Sequence, residues 1–295
     1  MKNLSIFIFM SSFFKNSQIK DALLVGSLIA VVSGIFGVFI LLRKQTFAGH
    51  AIADFGGAGS AIAFLFGFNS LFGFLFLGVL SSIGVELLGD QTHEHDTSTG
   101  IVLSLALGVE TLFLFLDTHY TGHASAPMLI LFGSIFIIKS SIIPLIILLT
   151  MISLIIFLII LRPLLLSTIN PDLAKIKGLP LKVIGVIFAI LFAIIVGESS
   201  IVIGTLLSTA LLIGPASSAI QLTRRIDHAM LISVFIGITS VWIGIFLAYD
   251  SHFWFASHKN WPVSFFVCTL ILMFYLLSRF IVFTKSYKLK RKKEN

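Results

Sequence analysis

Between residues 43 and 61 the chain reads RKQTFAGHAIADFGGAGSA, with His50 and Asp54 four residues apart. On a helix, that spacing stacks an imidazole and a carboxylate on one face, Cβ atoms about 6 Å apart. The pair suits a divalent ion such as Zn2+, Mn2+ or Fe2+, imidazole favouring zinc and the harder oxygen favouring manganese. The alternative is that the two side chains simply bond each other inside a helix bundle. Gly49, Ala53, Gly57 and Ala61 repeat small residues at the same spacing beside them, which lets a second helix approach closely. Two ligands do not hold an ion, so the others would come from another helix, a second copy of the chain, or water.

Further carboxylates lie in apolar surroundings. Glu86 and Glu198 fall near the ends of apolar blocks, where a carboxylate is expected to reach the membrane interface. Glu110 is in the middle of a block and is expected to line a pathway or pair two helices. Two histidine groups are weaker metal candidates: His93 and His95 in GDQTHEHDTSTG, and His119 and His123 in THYTGHASA. HEHDT is not a zinc-protease motif, because HExxH needs histidine where Thr97 stands. Cys268 has no second cysteine to pair with and lies in an apolar block, as a small hydrophobe does.

These residues need helices in lipid to position them. Of the 295 residues, 57% are hydrophobic and only 11% charged, against roughly 25% charged in a soluble domain. The apolar residues come in blocks of about 20, the length of a transmembrane helix and not of a barrel strand. The fold class is therefore all-α, a polytopic transmembrane bundle. Candidate spans are 21–42, 47–66, 71–88, 100–117, 141–161, 183–198, 200–220, 229–249 and 262–283. Asp54 would then lie ~15 Å beyond Lys44, near the bilayer midplane, where a carboxylate costs about 2.5–3.5 kcal/mol on insertion scales.

Nine crossings with a cytoplasmic C-terminus put fourteen of the twenty basic residues on the cytoplasmic side: Arg43 and Lys44, the segment 162–182, Arg224 and Arg225, and the tail from Lys285 to Lys293. The net charge of +7 thus reports orientation, and a nucleic-acid partner is not expected. Residues 127–138 are too short to cross and read as a re-entrant or interfacial piece. Residues 1–20 read as an uncleaved interfacial segment, 21–283 as a single membrane domain and 284–295 as a basic cytoplasmic tail. In the loop NPDLAKIKGLPLK, Asn170-Pro171 starts a short helix, Asp172 favours its first turn, and Gly178 before Pro180 stops it. The chain has no Gly-Lys dipeptide and hence no phosphate-cradling P-loop, so ATP energy would have to come from a partner.

From about residue 21 to 283 the sequence resembles the permease subunits of ABC importers for zinc, manganese and iron. The resemblance rests on FAGHAIADFGGAGSA, HDTSTGIVLSLALG, NPDLAKIKGLP, GTLLSTALLIGPASSA and WPVSFF. DLAKIKG resembles the EAAxxxG loop of ABC importers, with Asp172, Ala174 and Gly178 at the motif positions. The resemblance implies a non-enzymatic permease in the bacterial plasma membrane, without a resident cofactor and surrounded by lipid. It also implies a homodimer, an ABC ATPase docked on that loop, an extracytoplasmic metal-binding protein, and zinc, manganese or iron as cargo, zinc foremost. Gly214-Pro215 stands where the family breaks a helix. Many manganese-type members carry GDAxxHAxLPG, carboxylate first. Here the order is His50 then Asp54, and GGAG replaces LPG, so metal preference does not carry over. A proton-linked secondary transporter using Asp54 and Glu110 is the alternative, and a membrane metalloenzyme would need ligands the sequence does not offer.

Overall fold

The structure, a computed structural model, describes residues 16–88, 95–120, 133, 135–136, 140–251 and 261–294. Backbone polar groups in hydrocarbon have no water to bond, so each span must satisfy its own as helix. Ten helices and no strand occur among the described residues: α1 Ser17–Leu42, α2 Thr46–Leu65, α3 Ser70–Leu88, α4 His95–Tyr120, α5 Ile143–Ile169, α6 Pro171–Ile176, α7 Leu181–Ile203, α8 Thr205–Leu222, α9 Ile226–Asp250 and α10 Val263–Glu294. The nine long ones coincide with the nine apolar blocks. Helices α1, α3, α5, α7, α9 and α10 are long and apolar enough to cross a membrane by length and composition alone. α2 lacks such hydropathy because glycines, alanines, His50 and Asp54 fill more than half of its 20 residues.

α7 is the shared wall of the bundle. It packs on α3, α5, α8, α1 and α2, while α1, α8, α9 and α10 form a group on one side and α2, α3 and α4 a group on the other. Lipid tails are as apolar as the side chains, so packing quality rather than water exclusion holds such helices together. Part of this packing is aromatic. Phe36 of α1 stacks on Phe188 of α7 at 5.6 Å and meets Phe157 of α5 at 4.5 Å, and Phe39 sits edge-on to Phe157 at 5.2 Å. Each such pair contributes about 0.5–1.5 kcal/mol beyond its contact area.

The structure departs from two expected helix breaks. The break between the sixth and seventh blocks is not at residue 199 but at Gly204, a single-residue link with φ 91°, in the left-handed region that only glycine enters freely. Ser200 and Ser208, four residues either side, bring their hydroxyls within 3.0 Å, so the two helices fold back on each other. Helix α8 runs unbroken through Gly214 and Pro215, contrary to the expected interruption. Gly214 faces Ile271 of α10, and Ala216 behind the proline faces Gly37 of α1. Close packing on both sides holds the helix through a missing hydrogen bond. The basic residues after 284 continue α10 as helix to Glu294. The expectations for residues 1–15 and for most of 127–138 fall outside the described residues.

Candidate ion site and its supports

α2 carries the HxxxD pair on helix, as the spacing requires. His50, Asp54, Gly57 and Ala61 share one face by their register, and α4 packs along it. Ala61 clusters with Leu114 of α4, and one turn earlier Gly57 lies directly against the Glu110 carboxylate. A side chain at 57 would drive that carboxylate out. Glu110 is 2% exposed and neither of its oxygens has a hydrogen-bond partner. His50 and Asp54 are half-buried and do not hydrogen-bond to each other. The structural-pair alternative therefore lacks its bond. The α2–α4 seam holds an imidazole and two carboxylates in sequence along one direction, yet no three His, Cys, Asp or Glu side chains among the described residues stand close enough to hold a metal ion together.

The small residues serve several neighbours instead of one. Gly59 of α2 and Gly73 of α3 press backbone to backbone, and Gly56 accommodates the Phe74 ring. Gly49 meets Phe192 of α7 and Leu212 of α8. α2 is thus clamped on three sides, with its polar face left toward α4.

The remaining candidates part company. Glu198 does not reach an interface as expected: it is 1% exposed in α7, and its Oε2 accepts a 2.7 Å hydrogen bond from the Thr150 hydroxyl of α5. His119 is exposed at the end of α4 and stacks on Phe115 at 5.8 Å. His95 begins α4, while His93 and His123 lie outside the described residues. The loop helix α6 forms as read. Asn170 Oδ1 accepts from the Leu173 N–H at 2.9 Å, Asp172 is in the first turn, and Gly178 ends the loop at φ 71°. Ala174 is fully buried beneath it, while Ile176 is 82% exposed on the outer face.

One cluster was missed in the sequence. Glu86 accepts from the Arg43 guanidinium at 2.7 Å and from the Gln45 amide at 2.9 Å, and Arg43 Nε donates to Gln45 Oε1 at 3.2 Å. The Arg43 guanidinium also lies over the Phe188 ring, 5.3 Å from its centroid. Reading the spans as alternating crossings puts residues 43 and 86 at the same membrane face, and that signal would have paired them.

The bundle is that of a known class of membrane transporter. The sequence profile of the ABC 3 transport family matches residues 15–279, and the chain belongs to that family. It is a multi-pass transport subunit rather than an enzyme. Among its relatives, the chain is 26% identical over 245 residues to the manganese transport system membrane protein MntC of Listeria monocytogenes, covering 82% of this chain and 85% of that protein. It is 29% identical over 242 residues to a probable iron transport system membrane protein of Haemophilus influenzae, covering 78% and 84%. Among solved structures, PsaBC from Streptococcus pneumoniae in complex with Fab superposes with a TM-score of 0.76 at 23% identity, over 92% of this chain and 95% of that one. That likeness concerns the fold.

Proposed function

We propose that the protein is the permease of an ATP-driven importer for a divalent transition-metal ion, in which His50, Asp54 and Glu110 line the passage. The observation that carries this reading is the α2–α4 seam, where Gly57 makes room for an unpartnered buried carboxylate beside Asp54. A carboxylate at that depth is costly, and one facing the bundle interior without a partner marks an ion pathway. In this reading the protein acts as a homodimer, and a second copy of the chain, or water, completes the coordination. Manganese and iron in the names of the relatives make these the first ions to test, with zinc, favoured by the imidazole, as the competitor.

The exposed face of α6, bearing Asp172 and seated through Ala174, together with Gly178 just beyond it, is the docking surface for an ABC ATPase subunit, with α6 and the basic clusters on the cytoplasmic side. An extracytoplasmic metal-binding protein delivers the ion on the opposite side. The test is the metal content of cells, element by element, carrying wild-type chain, His50→Ala or Asp54→Ala together with the ATPase. Selective loss of one transition metal in both variants, with the complex still assembled, is the expected result, and wild-type uptake in either overturns the site. The proximity of Asp54 and Glu110 also suits a proton-linked carrier, which predicts uptake that survives without the ATPase and collapses with an uncoupler.

A further inference from the structure

The turn joining α1 to α2 is tied to two other helices. Arg43 caps the C-terminus of α1, Lys44 takes a left-handed φ of 57°, and Gln45 precedes α2 without capping it. The Gln45 side chain binds Glu86 of α3 instead, so both Glu86 oxygens are occupied by this one turn. On α7, Gly185 lies directly against the Glu86 carboxylate, where any Cβ would collide with it. Three residues on, on the same face of α7, Phe188 lies beneath the Arg43 guanidinium. Arg43 and Glu86 are 16% and 14% exposed, so the pair is shielded from water and little screened by salt.

What lies at either end gives the tie its use. α6 packs on α5 and on the start of α7, and only Lys177 to Pro180 separates it from α7. A push on α6 therefore reaches Gly185 and Phe188 within two turns of α7. From Gln45, His50 is ~7.5 Å and Asp54 ~13.5 Å further along one continuous helix. Packed helices shift as rigid bodies rather than deforming.

We propose that Arg43 and Glu86 are positioning residues forming the mechanical link through which movement of α6 reaches the His50–Asp54 face of α2. This rests on the function proposed above. The guanidinium fork holds Glu86 and rides on Phe188 at once, so α7 does not move without carrying the α1–α2 turn with it. Lysine, a point charge without a planar face, would keep the charge and lose the fork.

The test reconstitutes the permease with its ATPase in lipid vesicles and measures manganese uptake and ATP hydrolysis together. For Glu86→Gln the ions moved per ATP should fall about tenfold, with hydrolysis within about twofold of wild type. Gly185→Ala, which displaces the carboxylate without altering charge, should do the same, and Arg43→Lys should fall between. A merely structural pair would lower uptake and hydrolysis in proportion, and that result, or an unchanged ratio, overturns the link. Should Glu86→Gln fail to assemble, Arg43→Lys decides by the same ratio. A wild-type complex that moves no transition metal would instead overturn the proposed function, which distinguishes the two failures.

Discussion

Glu86 and Glu110 are both carboxylates within apolar blocks, and their surroundings are opposite. Glu86, at the end of α3, meets an arginine and a glutamine, with every oxygen occupied. Glu110, in the middle of α4, is fully enclosed against a glycine, with neither oxygen bonded. A paired charge at a helix end stabilises the fold by holding elements together. An unpaired one at mid-depth weakens it, and the proposed passage gives it a use. What separates the two is whether their oxygens are bonded. Glu198 stands between the two, with one oxygen bonded to Thr150 and the other not.

The largest expected effect comes from removing the room that Glu110 occupies. Gly57→Leu should destabilise the protein by about 3 kcal/mol, read as a drop in the melting temperature of the detergent-solubilised chain, since overpacking at a closed helix contact forces a shift. Adding Glu110→Ala to it should recover part of that loss; if the double variant melts no higher, Gly57 does not serve Glu110. A direct comparison of the two glutamates comes next. Glu86→Gln should cost about 2 kcal/mol, the range for a charge-assisted hydrogen bond, whereas Glu110→Gln should melt at or above wild type while metal uptake falls. A Glu110→Gln variant that melts lower and transports normally would invert the comparison. The smallest effect is expected at Thr150→Val, which removes the one partner of Glu198 at nearly constant volume and should cost about 1 kcal/mol. No change in melting would mean the bond contributes nothing.

The pairing of Arg43 with Glu86 also shows where reading the chain stops short. Both residues were legible as neighbours of the same membrane face, and each was visible as a charge at the end of an apolar block. Glu198 was legible as an end-of-block carboxylate too, yet it lies buried against α5, because α7 runs on to Gly204 and carries it inward. The resemblance marked a helix break at Gly214 and not at Gly204. Gly204 takes the turn because the backbone there needs φ 91°, and Gly214 stays helical because its missing side chain admits Ile271. Glycine serves both purposes, and only its neighbours tell which.

By itself the sequence determined what depends on local order: nine long helices from apolar block length, the shared face of His50 and Asp54 from four-residue spacing, and the form of α6 from Asn170, Pro171 and Gly178. It also carried the family, because the motifs are contiguous. The tertiary structure alone decided which helices lie against which. That choice brought Glu110 to Gly57, closed Glu86 between Arg43 and Gln45, and set α7 between α6 and the α1–α2 turn. The physical reason is the lipid. Where every outward face is apolar, hydropathy cannot say which face turns inward, and that is settled only by how small residues, rings and the few charges fit together.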